Sequence, residues 1–112
     1  MSFRDSDIII TTSNDVPGYR VVKVLGVVLG ITVRSRGLGG TLLAGLRALA
    51  GSEIKEFTEM SEQARVQAIS RMVERAKAPG ANAVVGFRLD SNELAEAIDE
   101  IIAYGTAVVS SR

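Results

Sequence analysis

The sequence predicts an α+β fold: a two-layer sandwich in which two helices cover one side of a mainly antiparallel sheet. Three observations carry that expectation. The run Arg20 to Val33 is crowded with valine and isoleucine, residues that suit a pleated strand better than a helix. A two-faced helical segment runs from Glu53 to the Pro79-Gly80 pair. Two further apolar runs, Asn82 to Leu89 and Ile101 to Val109, read as the strands that follow it.

In chain order, Met1 to Asp7 is polar and is expected to be a flexible N-terminus, with residues 8–112 forming a single domain. Ile8 to Thr12 is β-branched and reads as an extra short strand. Asn14-Asp15-Val16-Pro17-Gly18 is a turn cluster. The long strand then begins at Arg20. Strict alternation puts Val22, Val24 and Val28 on one face with Gly26 and Gly30, and Leu25, Val27, Leu29 and Ile31 on the other. Neither face is polar. Helices on one side would leave the second face bare, and the chain has too few remaining elements to cover it. The simplest cover is another copy of the chain.

Arg34 to Gly40 reads as a connection, and Thr41 to Ala50 as a short helix with Leu42, Leu43, Leu46 and Leu49 on its apolar side. Gly51 breaks that helix, and Ser52 is placed to cap the next. At 100° per residue, Ile54, Phe57, Ser61, Ala64, Ala68, Met72 and Ala76 share one side of the long helix, with Ile69 beside them. Glu56, Glu59, Gln63, Gln67, Ser70, Glu74 and Lys77 share the other. The small residues of the stripe let the helix lie close to a sheet. Pro79 disfavours helix at Ala78, and Gly80 supplies a left-handed stop. In the strand Asn82 to Leu89, alternation puts Ala83, Val85, Phe87 and Leu89 on one face; Asp90-Ser91-Asn92 then reads as a turn. Glu93 to Glu100 reads equally as one helical turn or as an irregular loop before the last strand. The helices provide the crossover, and the last strand inserts between the others so that neighbours run antiparallel.

The composition excludes several functions. Thirteen basic and thirteen acidic residues cancel, so no basic field marks a nucleic-acid or anionic-lipid surface. Five scattered aromatics make no base-stacking platform. Cysteine and histidine are both absent, which removes disulfides, thiol nucleophiles, zinc fingers and imidazole bases. The longest apolar run, Val24 to Val33, falls short of the roughly 20 residues a membrane helix needs. With no leader pattern at the first residues, the expected location is cytoplasmic.

Gly80-Ala81-Asn82-Ala83-Val84-Val85-Gly86, after a helix rich in Arg and Glu, resembles the signature of the YbjQ-like proteins. These small prokaryotic domains carry a heavy-metal-binding label. The likeness extends to Leu46-Arg47, to Gly51-Ser52-Glu53-Ile54-Lys55-Glu56-Phe57 and to Ala103-Tyr104-Gly105-Thr106-Ala107-Val108. It implies a dodecin-subunit-like fold assembling into a ring-shaped homopentamer. It also implies that a short extra strand pairs neighbouring subunits, a role for Ile8 to Thr12. Pro79 stands where the family commonly has leucine, and Ser52 where it commonly has a second glycine.

Among candidate sites, Arg34-Ser35-Arg36-Gly37-Leu38-Gly39-Gly40-Thr41 follows a strand and opens a helix. Arg34, Arg36, Gly37, Gly39, Gly40 and Thr41 could therefore cradle a small anion with guanidinium groups and free amides. The segment lacks the Lys-Ser/Thr end of a P-loop; the competing reading is a solvated connector. Arg47 matches an arginine common in the family and is expected to pair with Glu53 or line an inter-subunit pocket. Soft heavy metals want thiolate or imidazole, so only acids such as Glu53, Asp90, Asp99 and Glu100 remain, and no compact calcium-loop spacing appears. Glu93, Glu96, Asp99 and Glu100 form an acidic cluster, read as solvated rather than catalytic. No catalytic residue, metal ligand or cofactor is assigned. The expected function is an oligomeric binding or scaffolding module with any small anionic ligand between subunits. The alternatives are an interface enzyme using Arg and carboxylates, or a purely architectural ring.

Overall fold

The computed structural model describes residues 8–35, 55–96 and 98–112, with backbone alone over 55–61. The expected short helix at Thr41 to Ala50, the first residues Met1 to Asp7 and the start of the long helix lie outside the described residues. The described elements are β1 (Ile9–Ile10), β2 (Arg20–Ser35), α1 (Lys55–Lys77), β3 (Ala83–Ala95) and β4 (Ile98–Ser111).

The four strands form one sheet in the order β1-β3-β4-β2. As the sequence predicts, the last strand inserts between β2 and β3 and runs antiparallel to both. The short N-terminal strand differs from expectation. It pairs parallel with β3 of its own chain, Ile9 opposite Ala83 and Ile10 opposite Val84. The sheet is therefore mixed, with β1 and β3 the one parallel pair among the described strands.

α1 packs across one face of this sheet. Ala64, Ala68, Ile69, Met72, Val73 and Ala76 are buried against Val84, Ile101, Ala103 and Ala107, with Ile8 at the margin. The alanine stripe is what permits the close approach. The helix ends as expected: Gly80 adopts φ +98°, and its amide bonds to the Lys77 carbonyl at 2.9 Å.

Two expectations about the strands fail for one reason. Gly26 (φ +117°) lies at a register shift in β2, and Gly86 (φ +63°) lies at another in β3. Each bulge adds a residue and reverses the alternation beyond it. In β2, Val24 opposite Val108 and then Val27, Leu29, Ile31 and Val33 all lie on the face away from α1, while Leu25 and Val28 pack toward the core. In β3, Val84 and Leu89 face the core together, and Ala83 and Val85 turn outward. The expected turn at Asp90-Ser91-Asn92 is also corrected. These residues pair with Ile102, Ile101 and Glu100, so the β3–β4 hairpin runs on to Ala95 and Ile98. Glu93 to Ala95 and Ile98 to Glu100 are accordingly strand, neither helical nor loop.

On the outer face, one end of the sheet is covered by the turn that follows β1. Val16 is buried there with Ala83, Val85 and Val108, beside Ile9, Tyr19 and Val21. The Gly86 bulge holds the turn in place, with Gly86 N donating to Ser13 O at 2.8 Å and Phe87 N to Thr11 O at 3.0 Å.

Candidate functional site

Beyond that turn the outer face of β2 has no cover among the described residues. Val27 is 71% exposed, Val24 65% and Val33 53%, with Leu29 and Ile31 exposed beside them. Five large apolar side chains along one face of the strand form a patch on the order of several hundred Å², the scale at which surface patches mark contacts. No charged side chain interrupts the stripe from Val24 to Val33.

The β3 side of the same face is polar. Arg88 lies opposite Tyr104, Asp90 opposite Ile102 and Asn92 opposite Glu100. The Tyr104 hydroxyl donates to Asp90 Oδ2 at 2.9 Å. That hydrogen bond to the carboxylate, with desolvation and the Asp90 charge, raises the Tyr104 pKa above 10.0 against an opposing pull from Arg88. The outer face thus has an apolar half on β2 and a polar half on β3, with Tyr104 between them.

At the far end of the hairpin, Arg65, Ser91, Asn92, Glu93, Asp99 and Ile101 line an open cleft of about 310 Å³. The acidic cluster expected from sequence is divided by the strand pleat. Glu93 and Asp99 lie opposite each other at this cleft, Glu100 lies opposite Asn92, and Glu96 occupies the turn. Thr32, opposite Ile101 in the ladder, is 2% exposed, and its hydroxyl has no hydrogen-bond partner among the described residues.

Of the anion-site residues named from sequence, only Arg34 is described. Its guanidinium donates to Gln67 Oε1 at 2.9 Å, and its cross-strand neighbour is Asp99. Arg36, Gly37, Gly39, Gly40, Thr41 and Arg47 lie outside the described residues, as does Glu53. Sequence reading missed the Tyr104–Asp90 pair because it took Asp90 for a turn residue, and only the hairpin register brings the two together.

No group of three or more His, Cys, Asp or Glu among the described residues could hold a metal ion, and the whole chain lacks Cys and His. The cleft offers oxygen donors beside an arginine, a set that does not fit a soft metal. No described helix is long and apolar enough to cross a membrane.

Comparison with known proteins agrees with this architecture. A UPF0145 protein of Sulfurisphaera tokodaii is 67% identical over 112 residues, covering 100% of this chain and 98% of the relative. One from Saccharolobus islandicus is 64% identical, covering 96% of this chain and 95% of its own length. A bacterial relative, from Bradyrhizobium, is 48% identical over 94% of this chain and 95% of that protein. Among solved structures, a protein of unknown function of the DUF74 family from Pediococcus pentosaceus superposes with a TM-score of 0.65 at 16% identity. That match covers 91% of this chain and 96% of the other, and it bears on fold alone. Residues 8–111 match the YbjQ-like family described as "Putative heavy-metal-binding", and the chain belongs to that family of UPF0145 proteins.

Proposed function

We propose that the protein is a self-assembling binding or scaffolding module, whose subunits bury the apolar outer face of β2 against one another. The observation that carries this reading is the exposure of Val24, Val27, Leu29, Ile31 and Val33 along one face of β2. Water contact with that much apolar surface is unfavourable, and a closed set of identical subunits removes it from every copy at once. The uncharged character of the stripe favours the same outcome, since like faces can meet without opposing like charges. A ring of five, as the YbjQ-like resemblance implies, is the closed form proposed. A small anion held between subunits near Arg34 is the ligand class proposed for it. Soft-metal binding is not part of the proposal, because the chain has no soft donors.

Native mass spectrometry with light scattering at micromolar concentration tests the reading. The wild type is expected to give one closed oligomer, and Val27→Glu/Leu29→Glu a folded monomer. A wild-type monomer at that concentration would sink it. Omitting or adding inorganic phosphate in the same measurement shows whether an anion is retained. Its loss in Arg34→Ala would assign the site.

A further inference from the structure

Two α1 side chains, Arg71 and Arg75, reach backbone carbonyls of β2, and Gln67, one turn before them, meets a β2 side chain. Gln67 accepts from Arg34 at 2.9 Å, Arg71 Nη1 donates to the Ile31 carbonyl at 2.6 Å, and Arg75 Nη1 donates to the Leu29 carbonyl at 2.9 Å. Positions 67, 71 and 75 recur every four residues, a rise of about 6 Å per step. Leu29 and Ile31 are two residues apart on a strand, about 6.8 Å. The two repeats match, so the helix can present one side chain to each successive edge carbonyl.

In an antiparallel ladder, alternate residues turn both N–H and C=O toward the paired strand, and those between turn both away. The carbonyls of Leu29 and Ile31 reach arginines of α1, so they belong to the outward set. No described strand lies beyond β2, which ends the sheet. An open edge of this length, 16 residues and largely apolar, is a template for strand addition.

We propose that Arg71 and Arg75 close this edge to strand addition, so that a second copy of the chain meets β2 through its apolar face alone. An incoming strand needs the carbonyls of Leu29 and Ile31 as acceptors for its own amides. Both are engaged by guanidinium groups, in charge-assisted bonds stronger than an ordinary amide bond. The arginine side chains also stand where the new strand would run. At these two positions each edge carbonyl already accepts one bond, so an incoming amide must share the oxygen or displace the arginine. The choice of a second copy as partner rests on the assembly reading above; the closure of the edge does not.

The test compares wild type, Arg71→Met/Arg75→Met, and Glu74→Ala as a control on the same helix. Methionine keeps the apolar stem against the strand while removing the donors. Size distributions are measured by analytical ultracentrifugation over a hundredfold concentration range, with amide exchange at Leu29 and Ile31. Wild type and control are expected to keep one discrete species throughout. The double variant should form an open-ended series that grows with concentration, with amide exchange at Leu29 and Ile31 at least tenfold slower in the largest species. Should methionine leave the protein unfolded by circular dichroism, Arg71→Lys/Arg75→Lys retains the charge. It shortens the reach to the carbonyls and is read the same way. A folded variant with the wild-type size distribution and unchanged exchange would overturn edge closure. A monomeric wild type whose variant still forms the open-ended series would remove the assembly reading while leaving edge closure standing.

Discussion

Gly30 of β2 sits directly against the backbone of Ala68 in α1. A Cβ added at Gly30 would overlap the Ala68 carbonyl oxygen and crowd the amide nitrogen of Met72. Both are main-chain atoms of a helix interior, so neither can swing aside as a side-chain end would.

Gly30→Ala should therefore force the helix off the sheet along its buried stripe. The expected cost is about 2–3 kcal/mol, the upper part of the range for overpacking a core. Gly18→Ala is the contrast: its Cβ would meet nothing within 4 Å, but φ is +83°. That substitution should cost only the conformational strain, about 1–2 kcal/mol. Urea unfolding at one fixed protein concentration ranks the two. An equal or smaller cost at Gly30 would mean that the helix does not approach the strand this closely.

Thr32 gives a prediction of opposite sign. Its hydroxyl is buried without a partner among the described residues, so the native state carries the desolvation of that group with no bond in return. Thr32→Val keeps the branched shape and removes the oxygen. Stability should rise by about 1 kcal/mol, with the thermal midpoint up by roughly 4 °C. A fall in the midpoint would show that the hydroxyl is bonded in solution.

The layered fold was legible because its signals are periodic and local. The alanine stripe of α1 and the Pro79-Gly80 stop are both found where the spacing puts them, and β4 enters the middle of the sheet as the connection rule requires. The faces of β2 and β3 were not legible past Gly26 and Gly86. A bulge changes every later side chain from one face to the other, and a glycine marks where a bulge is possible without saying that one occurs. The apolar outer face was anticipated, but from a residue set that the Gly26 bulge redistributes. Of the expected anion site only Arg34 can be compared. Its link to Gln67 joins residues far apart in the chain, and no spacing along the sequence reports it.

Tyr104 sets an alkaline prediction. The bond to Asp90 raises its folded-state pKa above 10.0, so the folded protein holds this proton more tightly than the unfolded chain does. The stabilisation linked to it is complete below the unfolded value and is lost as pH climbs through the folded one. Absorbance titration of Tyr19→Phe, in which Tyr104 is the one remaining tyrosine, should give a midpoint above 10. Asp90→Asn in the same background should move the midpoint down. An unchanged midpoint would place the phenol away from the carboxylate.

Asn82 carries the last prediction and explains part of the Gly80–Gly86 signature in physical terms. Its side-chain amide behaves like one more strand residue: Nδ2 donates to the Ser110 carbonyl at 2.8 Å, and Oδ1 accepts from the Ser110 amide at 2.8 Å. The Ser110 hydroxyl donates to the same oxygen at 3.2 Å. Ser110 is only 7% exposed, although Asn82, which covers its backbone groups, is itself exposed. Asn82→Ala removes both side-chain partners of the Ser110 backbone, and should cost about 1–2 kcal/mol, water replacing part of what is lost. Asn92, exposed like Asn82, is the control, since its amide makes only one long contact of 3.4 Å with Glu100, and Asn92→Ala should fall within about 0.5 kcal/mol of wild type. Amide exchange at Ser110 reports the site directly. It should accelerate in Asn82→Ala by more than the global loss of stability accounts for, because the bond that protects that amide is the one removed. Acceleration no greater than the global change would assign the Ser110 amide another acceptor.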